Sequence, residues 1–368
     1  MWCVARFMNV LVTGGAGYLG SMMAKALLEK GHLVRVLDNL MYGEDSISEL
    51  EQHPNFELVK GDIRDMATVV KALKGVKYVV HLASIVGDQA ASLEPRSTIE
   101  INYLATRNMA ELCNLYDIEK ILYASTCSVY GETGESTIMD ESVSFRGGEG
   151  KPSPISLYGE TKLRSERAIT SLCDNAVILR LGTLFGLSRR MRFDLAVNMF
   201  IARALSRQKI TVFGGEQHRP FLHVLDAADA FVFAIENDLV GTFNVAWRNW
   251  KLIDVAKEIQ KYLQTEVEVS ERIVDRRNYL VNCDRITQRG FRPSRDIKFA
   301  IKEISRAFTD GTIRDYTLPK YSNYKLLFES EEVQRKVYTL GPIGEQLPTS
   351  ANQSVATKGW HRLRNLEV

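Results

Sequence analysis

The chain has no run approaching the roughly 20 apolar residues that a membrane-spanning helix needs, so a membrane-embedded helical fold is not expected. Its five cysteines, at positions 3, 113, 127, 173 and 283, are scattered, odd in number and without C-x-x-C spacing. That argues against a disulfide framework and a structural zinc, and no metal is expected; a reducing compartment is the better expectation. Neither sign of charge is in excess. Lys and Arg number 47 against 45 Asp and Glu, a formal charge of +2, which gives no electrostatic case for nucleic acid or a membrane surface as partner. No internal repeat or low-complexity tract is visible. The opening MWCVARF contains Arg6 and runs into a strand pattern without a small-residue cleavage site, so it does not read as a secretory leader. The cytoplasm is the expected location, and Met8 can serve as the true start.

What is present is ordinary for a globular protein with a sizeable core: 368 residues, 45% apolar and 25% charged. Runs rich in Val, Leu and Ile at 8–13, 33–37, 56–59, 77–82, 120–125 and 176–181 alternate with helical patterns, the signature of an α/β fold with a parallel sheet covered on both faces. Between the first two runs, Leu19, Met22, Met23, Ala26 and Leu27 form the inner stripe of a helix that Gly31 can end. After residue 183 the alternation loosens. The expected division is a Rossmann-type doubly wound core over 1–182, with 221–246 returning to it, and a smaller C-terminal cap from 183–220 and 247–315. Residues 316–368 form an extension without sustained periodicity.

The sharpest local signal is NVLVTGGAGYLG. Gly14 permits a tight turn after the first strand, Gly17 a close approach of a pyrophosphate, and Gly20 close packing of helix on sheet, while Tyr18 and Leu19 lie at a helix N-terminus whose amides and dipole suit phosphate. The second strand ends in Asp38-Asn39, and an acidic residue there suits ribose hydroxyls. Asp38 without a following arginine favours NAD over NADP, because a carboxylate repels a ribose phosphate. In GDIRD, Asp62 either accepts from an adenine amino group, with the Ile63 amide beside it, or caps the helix beginning near Met66. His81 reads as a core or strand-end histidine. Leu82, Ala83, Ser84 and Ile85 can line the nicotinamide side, and Asn102 can tie a helix to that loop.

Tyr158 and Lys162 stand at i and i+4 on one helix face, after the start signals Ser153, Pro154 and Ser156. An ammonium near a phenol favours phenolate and draws its pKa down from about 10, making Tyr158 a general base for a sugar hydroxyl, while Lys162 can also reach the nicotinamide ribose. Thr126, at the end of a strand, can share the substrate proton.

TGGAGYLG, LDNL, GDIRD, STCSVYG, YGETK and RPFLHV occur in one order, and over about residues 8 to 310 the chain resembles the extended short-chain dehydrogenase/reductases of the NAD-dependent nucleotide-sugar epimerase/dehydratase family. The resemblance implies a retained, transiently used NAD, a nucleotide diphosphate-sugar substrate, and Thr126, Tyr158 and Lys162 as catalytic trio. It also implies a homodimer through helices near 97–115 and 158–171. Arg219 and Arg292 correspond to the family's phosphate-contacting arginines, and Thr183 stands where the family usually has a substrate-facing asparagine. Arg189, Arg190 and Arg192 either meet a phosphate or form a solvated loop. Where related 4,6-dehydratases carry Asp then Glu after the threonine, this chain carries Cys127 and Ser128. Serine is a poor base at neutral pH, which argues against that elimination. Cys127 is either a compact filler or a tuned proton-transfer thiol. The expectation is a nucleotide-sugar 4-epimerase acting through a 4-keto intermediate, with a dehydratase or 4-ketoreductase of a modified sugar as the alternative.

Overall fold

The computed structural model describes residues 7–133, 137–142, 153–271, 277–329 and 334. The opening segment and most of the C-terminal tail, on which the expectations above also touch, lie outside the described residues.

The first half of the chain alternates strand and helix. It runs β1 (Asn9–Thr13), α1 (Gly20–Glu29), β2 (Leu33–Asp38), β3 (Phe56–Lys60), α2 (Met66–Leu73), β4 (Tyr78–His81), α3 (Asp88–Leu93), α4 (Pro95–Ile99), α5 (Ala105–Leu115) and β5 (Lys120–Thr126). The short β6 (Ile138–Met139) precedes α6 (Leu157–Leu172) and β7 (Val177–Leu181). Six of these strands and the later β11 make one seven-stranded sheet in the order β11-β7-β5-β4-β1-β2-β3, parallel throughout. The order reverses between β1 and β4, the place where open α/β sheets leave a crevice at their carboxyl ends.

Period-two alternation along the strands separates two cores. Val10, Val12, Val34, Val36, Val80, Leu122 and Leu179 belong to one buried cluster, with Met23 and Leu27 of α1. Leu11, Leu37, Val79, Ile121, Tyr123 and Ile178 belong to the other, with Val69 of α2, Met109 of α5 and Ile169 of α6. Both faces are covered, so the strands read as nearly continuous apolar runs. Helix ends follow local chemistry. Gly31, at φ 82°, stands just after the end of α1, and the Ser156 hydroxyl accepts from the Gly159 amide to start α6.

After β7 the chain leaves the large sheet through β8 (Thr183–Phe185), α7 (Ala196–Leu205), β9 (Ile210–Phe213) and β10 (His218–His223). It returns through α8 (Val224–Glu236) and β11 (Gly241–Val245), then leaves again as β12 (Arg248–Lys251), α9 (Leu252–Tyr262), β13 (Val267–Ser270), β14 (Leu280–Val281), α10 (Asp284–Gln288) and α11 (Ile297–Thr309). Strand β10 pairs with β8 and β12, outside the large sheet, so the return begins with α8 at Val224, three residues later than the expected 221. Strand β9 pairs with β13 and β6 with β14. The last described helix, α12 (Asn323–Glu329), packs on α3. No helix among the described residues is long and apolar enough to cross a membrane.

A buried ion pair ties α6 to the sheet. The Arg180 guanidinium of β7 donates from Nε and Nη2 to Glu166 of α6 at 2.7 to 3.2 Å, and from Nη1 to the Tyr130 hydroxyl at 2.8 Å. The Ser125 hydroxyl also donates to Glu166. Burial disfavours the charge on Arg180, but Glu166 outweighs it and holds the guanidinium above its ordinary pKa. Replacing one partner strands the other, so Glu166→Gln is expected to cost about 3–5 kcal/mol, read as a fall in the denaturation midpoint. The double change Glu166→Leu with Arg180→Met should recover part of that loss.

Candidate functional site

A cleft of about 1540 Å3, counting its open mouth, runs across the carboxyl ends of β1, β2, β4, β5 and β7.

At one end lie Gly14, Gly17, Tyr18, Leu19, Gly20, Asp38, Asn39, Asp62 and Ile63. Gly14 takes φ 71°, and a Cβ on Gly20 would fall 2.0 Å from the Gly14 carbonyl oxygen, so the turn and the start of α1 are as close as backbone permits. The Asp38 carboxylate accepts from the Ala16 amide at 2.9 Å and the Leu40 amide at 2.8 Å. Burial raises its pKa, and those two amides oppose the rise. The Asn39 side-chain amide donates to Asp62 at 3.0 Å. Asp62 is also gripped by the amide and guanidinium of Arg64 at 2.8 to 3.0 Å. Asp65, and not Asp62, caps α2, accepting from the Ala67 amide. A glycine cradle with a carboxylate at the end of β2 fits the adenosine diphosphate half of a dinucleotide.

In the middle, Leu82, Ala83, Ser84 and Ile85 form the cleft wall after β4. Asn102 holds that wall, accepting from the Ile85 amide at 2.7 Å and donating to the Ile85 carbonyl at 2.9 Å. His81 is fully buried. The Thr13 hydroxyl accepts from the Leu82 and Ala83 amides at 3.2 and 3.3 Å, so its own proton goes to His81 Nδ1, 2.7 Å away. His81 Nε2 then donates to Thr106 at 2.9 Å. The ring is neutral, its pKa lowered by burial to about 3.

At the other end the cleft is lined by Thr126, Ser128, Tyr158, Lys162, Thr183, Arg277 and Tyr279. The Lys162 ammonium donates to the Ala124 carbonyl at 2.9 Å and stands 4.8 Å from the Tyr123 ring centre and 5.9 Å from that of Tyr158. Burial lowers its pKa to about 7, against the pull of Glu166. Burial pushes the Tyr158 phenol up, Asp88 adds to the rise, and a hydrogen bond with Thr126 opposes it. The expected fall of the phenol pKa beside an ammonium is therefore not what the protein alone produces, because burial disfavours the charged form of both groups.

Three expected residues stand elsewhere. Cys127 does not line the cleft: it is 1% exposed, and its thiol donates to the Arg180 carbonyl at 3.2 Å between β5 and β7. Burial raises its pKa well above normal, so it is a core residue and not a tuned acid or base. Arg292 is exposed and outside the cleft wall. Arg219 is buried behind the wall, 5.2 Å from the ring centre of Tyr279. Arg277, paired with Asp88 at 2.7 Å, and Tyr279, whose hydroxyl meets Ser128 at 3.2 Å, face the cleft in their place. No local motif marked Arg277 or Tyr279. Arg190, Arg192, Tyr42 and Asn323 also line the cleft, and of these only the two arginines stood out as a basic cluster.

The model of the NAD dependent epimerase/dehydratase family matches residues 10–246. The chain belongs to that family. A Methanocaldococcus jannaschii protein provisionally named UDP-glucose 4-epimerase is 30% identical over 308 residues, spanning 80% of this chain and 96% of its own length. UDP-glucuronic acid decarboxylase 1 of Arabidopsis thaliana is 30% identical over 262 residues, 68% of this chain and 58% of its own. The UDP-glucose 4-epimerase of Thermus thermophilus, solved in complex with NAD, superposes with a TM-score of 0.70 at 27% identity, covering 82% of this chain and 99% of that one. As an epimerase/dehydratase-family enzyme, the protein is an NAD-dependent catalyst of nucleotide-sugar chemistry with a Rossmann-type sheet.

The depressed Lys162 gives a pH signature. Its folded pKa of about 7 lies below the unfolded value of about 10.4, so between those values the unfolded chain holds the extra proton and stability gains with rising pH. The ligand-free protein is expected to gain stability over that window relative to a Lys162→Met variant, measured by urea melts at pH 7 and pH 10; parallel curves would contradict it.

Proposed function

We propose that the protein is a nucleotide-sugar 4-epimerase working through a transient 4-keto sugar, with Thr126, Tyr158 and Lys162 as its catalytic group. When bound, NAD supplies a reversible hydride acceptor and a nicotinamide positive charge that favours phenolate. Tyr158 takes the proton of the sugar 4-hydroxyl, Thr126 shares that proton through its hydrogen bond to the phenol, and Lys162 in its protonated form stabilises the phenolate. Tyr158 returns the proton when the ketone is reduced from its opposite face. Asp38 orients the adenosine ribose and Asn102 keeps the wall at Ile85 in place. On the substrate side, Thr183, Arg277 and Tyr279 face the sugar diphosphate, and Arg219 supports Tyr279 from behind.

One observation carries the choice of epimerisation over elimination. The two positions after Thr126 offer a thiol turned into the core and a hydroxyl shared with Tyr279. Among the described residues lining the cleft, the carboxylates are Asp38 and Asp62, both at the far end; Asp88, whose charge is felt at Tyr158, is outside the wall and paired with Arg277 at 2.7 Å. Loss of water from a 4-keto sugar needs an acid and a base beside the sugar, whereas 4-epimerisation asks only for a proton relay, hydride transfer and room for the ketone to turn. Outward faces of α5 and α6, which pack together, are the proposed homodimer surface.

Purified protein with its own NAD is expected to exchange configuration at C4 of at least one nucleotide sugar, without mass change and without net NADH. A mass loss of one water would instead identify a dehydratase, and steady consumption of added NADH a ketoreductase. Tyr158→Phe should lower kcat about 10²–10⁴-fold. Cys127→Ala should keep kcat within about threefold at a stability cost of roughly 1 kcal/mol; a loss comparable to that of Tyr158→Phe would restore the thiol to the mechanism.

A further inference from the structure

The loop between β8 and α7 crosses back over the glycine turn of β1–α1. The Ser188 hydroxyl donates to the Tyr18 carbonyl at 2.6 Å. Arg189 donates to the Ser46 carbonyl at 3.1 Å, and Ser46 in turn donates to the Ala16 carbonyl at 2.8 Å. Arg190, next along this tethered loop, is 6% exposed and lines the cleft. Its guanidinium lies 4.4 Å from the ring centre of Tyr42, in the segment after β2, and its charge is felt at Asp38.

The hydrogen bonding of Arg190 is one-sided. Nη1 donates to Asn323 Oδ1 of α12 at 2.6 Å, while Nε and Nη2 are buried without a hydrogen-bond partner. Nε and Nη2 form the edge with which a guanidinium grips a phosphate bidentately. The neighbouring arginine is satisfied in another way: Arg192 makes two bonds to Asp194 at 2.9 and 3.0 Å. Burial, with Arg192 close by, lowers the pKa of Arg190 to about 10, which leaves it charged at neutral pH. A buried charge with two unmet donors destabilises a fold, so its place in the cleft wall calls for an anionic ligand.

We infer that Arg190 is the cationic anchor for the bridging diphosphate of the dinucleotide, closing on it from the side opposite the glycine turn, and that Asn323 is the positioning residue that aims it. This rests on the reading of the Asp38 end of the cleft as the adenosine end of an NAD site. The diphosphate is favoured over the sugar nucleotide's because the loop is fastened to Ala16, Tyr18 and Ser46, whereas Arg277 serves the Thr126 end. Asn323 is suited to aim the side chain. Its backbone N–H is bound by Asp194 at 2.9 Å, and its side chain also reaches the Val86 carbonyl at 3.3 Å. The C-terminal segment, beyond the family match at 10–246, thereby joins the cap loop to the wall after β4 across the cofactor end.

The test is calorimetric titration of the cofactor-stripped full chain with adenosine, ADP, 2′-AMP and UDP, together with thermal melts without ligand. Arg190→Met is expected to weaken ADP about 10–100-fold while leaving adenosine within about threefold. Its ligand-free melting temperature should equal or exceed that of the parent, because an unsatisfied buried charge has been removed. Asn323→Ala should weaken ADP about threefold to tenfold with the same indifference to adenosine; unchanged ADP binding in that variant would remove the aiming role. Equal losses for adenosine and ADP with a lower melting temperature would make Arg190 structural and overturn the inference. A loss confined to 2′-AMP, or to UDP, would overturn it in favour of a ribose phosphate or the substrate diphosphate. If the parent protein binds neither adenosine nor ADP, the dinucleotide reading itself fails.

Discussion

The pairing of Glu166 with Arg180 sets the geometry on which the rest of the site depends. Each is at most 1% exposed, and two charges removed from water cost several kcal/mol unless their hydrogen bonds are complete. Here Ser125 and Tyr130 finish the set, and Tyr130 passes it on to Asn244 of β11 at 2.8 Å. The pair therefore crosses β5, β7, β11 and α6 in one polar seam through an apolar core. Glu166 stands four residues beyond Lys162 and eight beyond Tyr158, on the same helical stripe. Fixing its rotation against Arg180 turns the phenol and the ammonium into the cleft, and its negative charge partly offsets the desolvation of Lys162.

Desolvation is the dominant force on the titratable groups of the cleft. It raises Tyr158 and lowers Lys162 and His81, so each of these groups leans toward neutrality. The neutral His81 acts as a hydrogen-bonded strut between Thr13 of β1 and Thr106 of α5. For Tyr158 and Lys162 the same pressure means that reactivity depends on charge brought in by the ligands. The distribution of charge along the wall fits that dependence: its carboxylates are near the ends of β2 and β3, while hydroxyls, two phenols and Arg277, paired with Asp88 outside the wall, gather near the ends of β5 and β7.

Several features were legible because they are local. Strand spacing, the glycine turn, Gly31 after α1 and the Ser156 cap all follow from backbone conformation within a few residues. Other readings changed for equally physical reasons. Asp62 resembled a helix cap, but Asp65 stands directly before Met66 and takes that bond. Cys127 sits beside two cleft residues in sequence, yet the chain turns at Thr126 from β5 into a single 3-10 turn over Cys127–Tyr130, so successive side chains point to different sides: Thr126 and Ser128 meet the cleft and Cys127 meets the Arg180 carbonyl. The arginines read by motif position at 219 and 292 are not in the cleft wall, and Arg277 is, because long side chains are placed by whichever segments pack around them.

The sequence by itself determined the doubly wound sheet, the phosphate-shaped turn at its first crossover and the tyrosine–lysine stripe of α6. Each is encoded in short periodicities and in residues whose backbone preferences need no distant partner. Only the tertiary structure decided which of three neighbouring arginines reaches the cleft with unmet donors. It did so by bringing Asn323, 133 residues away in the chain, and Tyr42 from the far side of the glycine turn against one guanidinium. The physical reason is that burial and hydrogen-bond satisfaction belong to contacts between remote segments, and no local pattern along the chain records them.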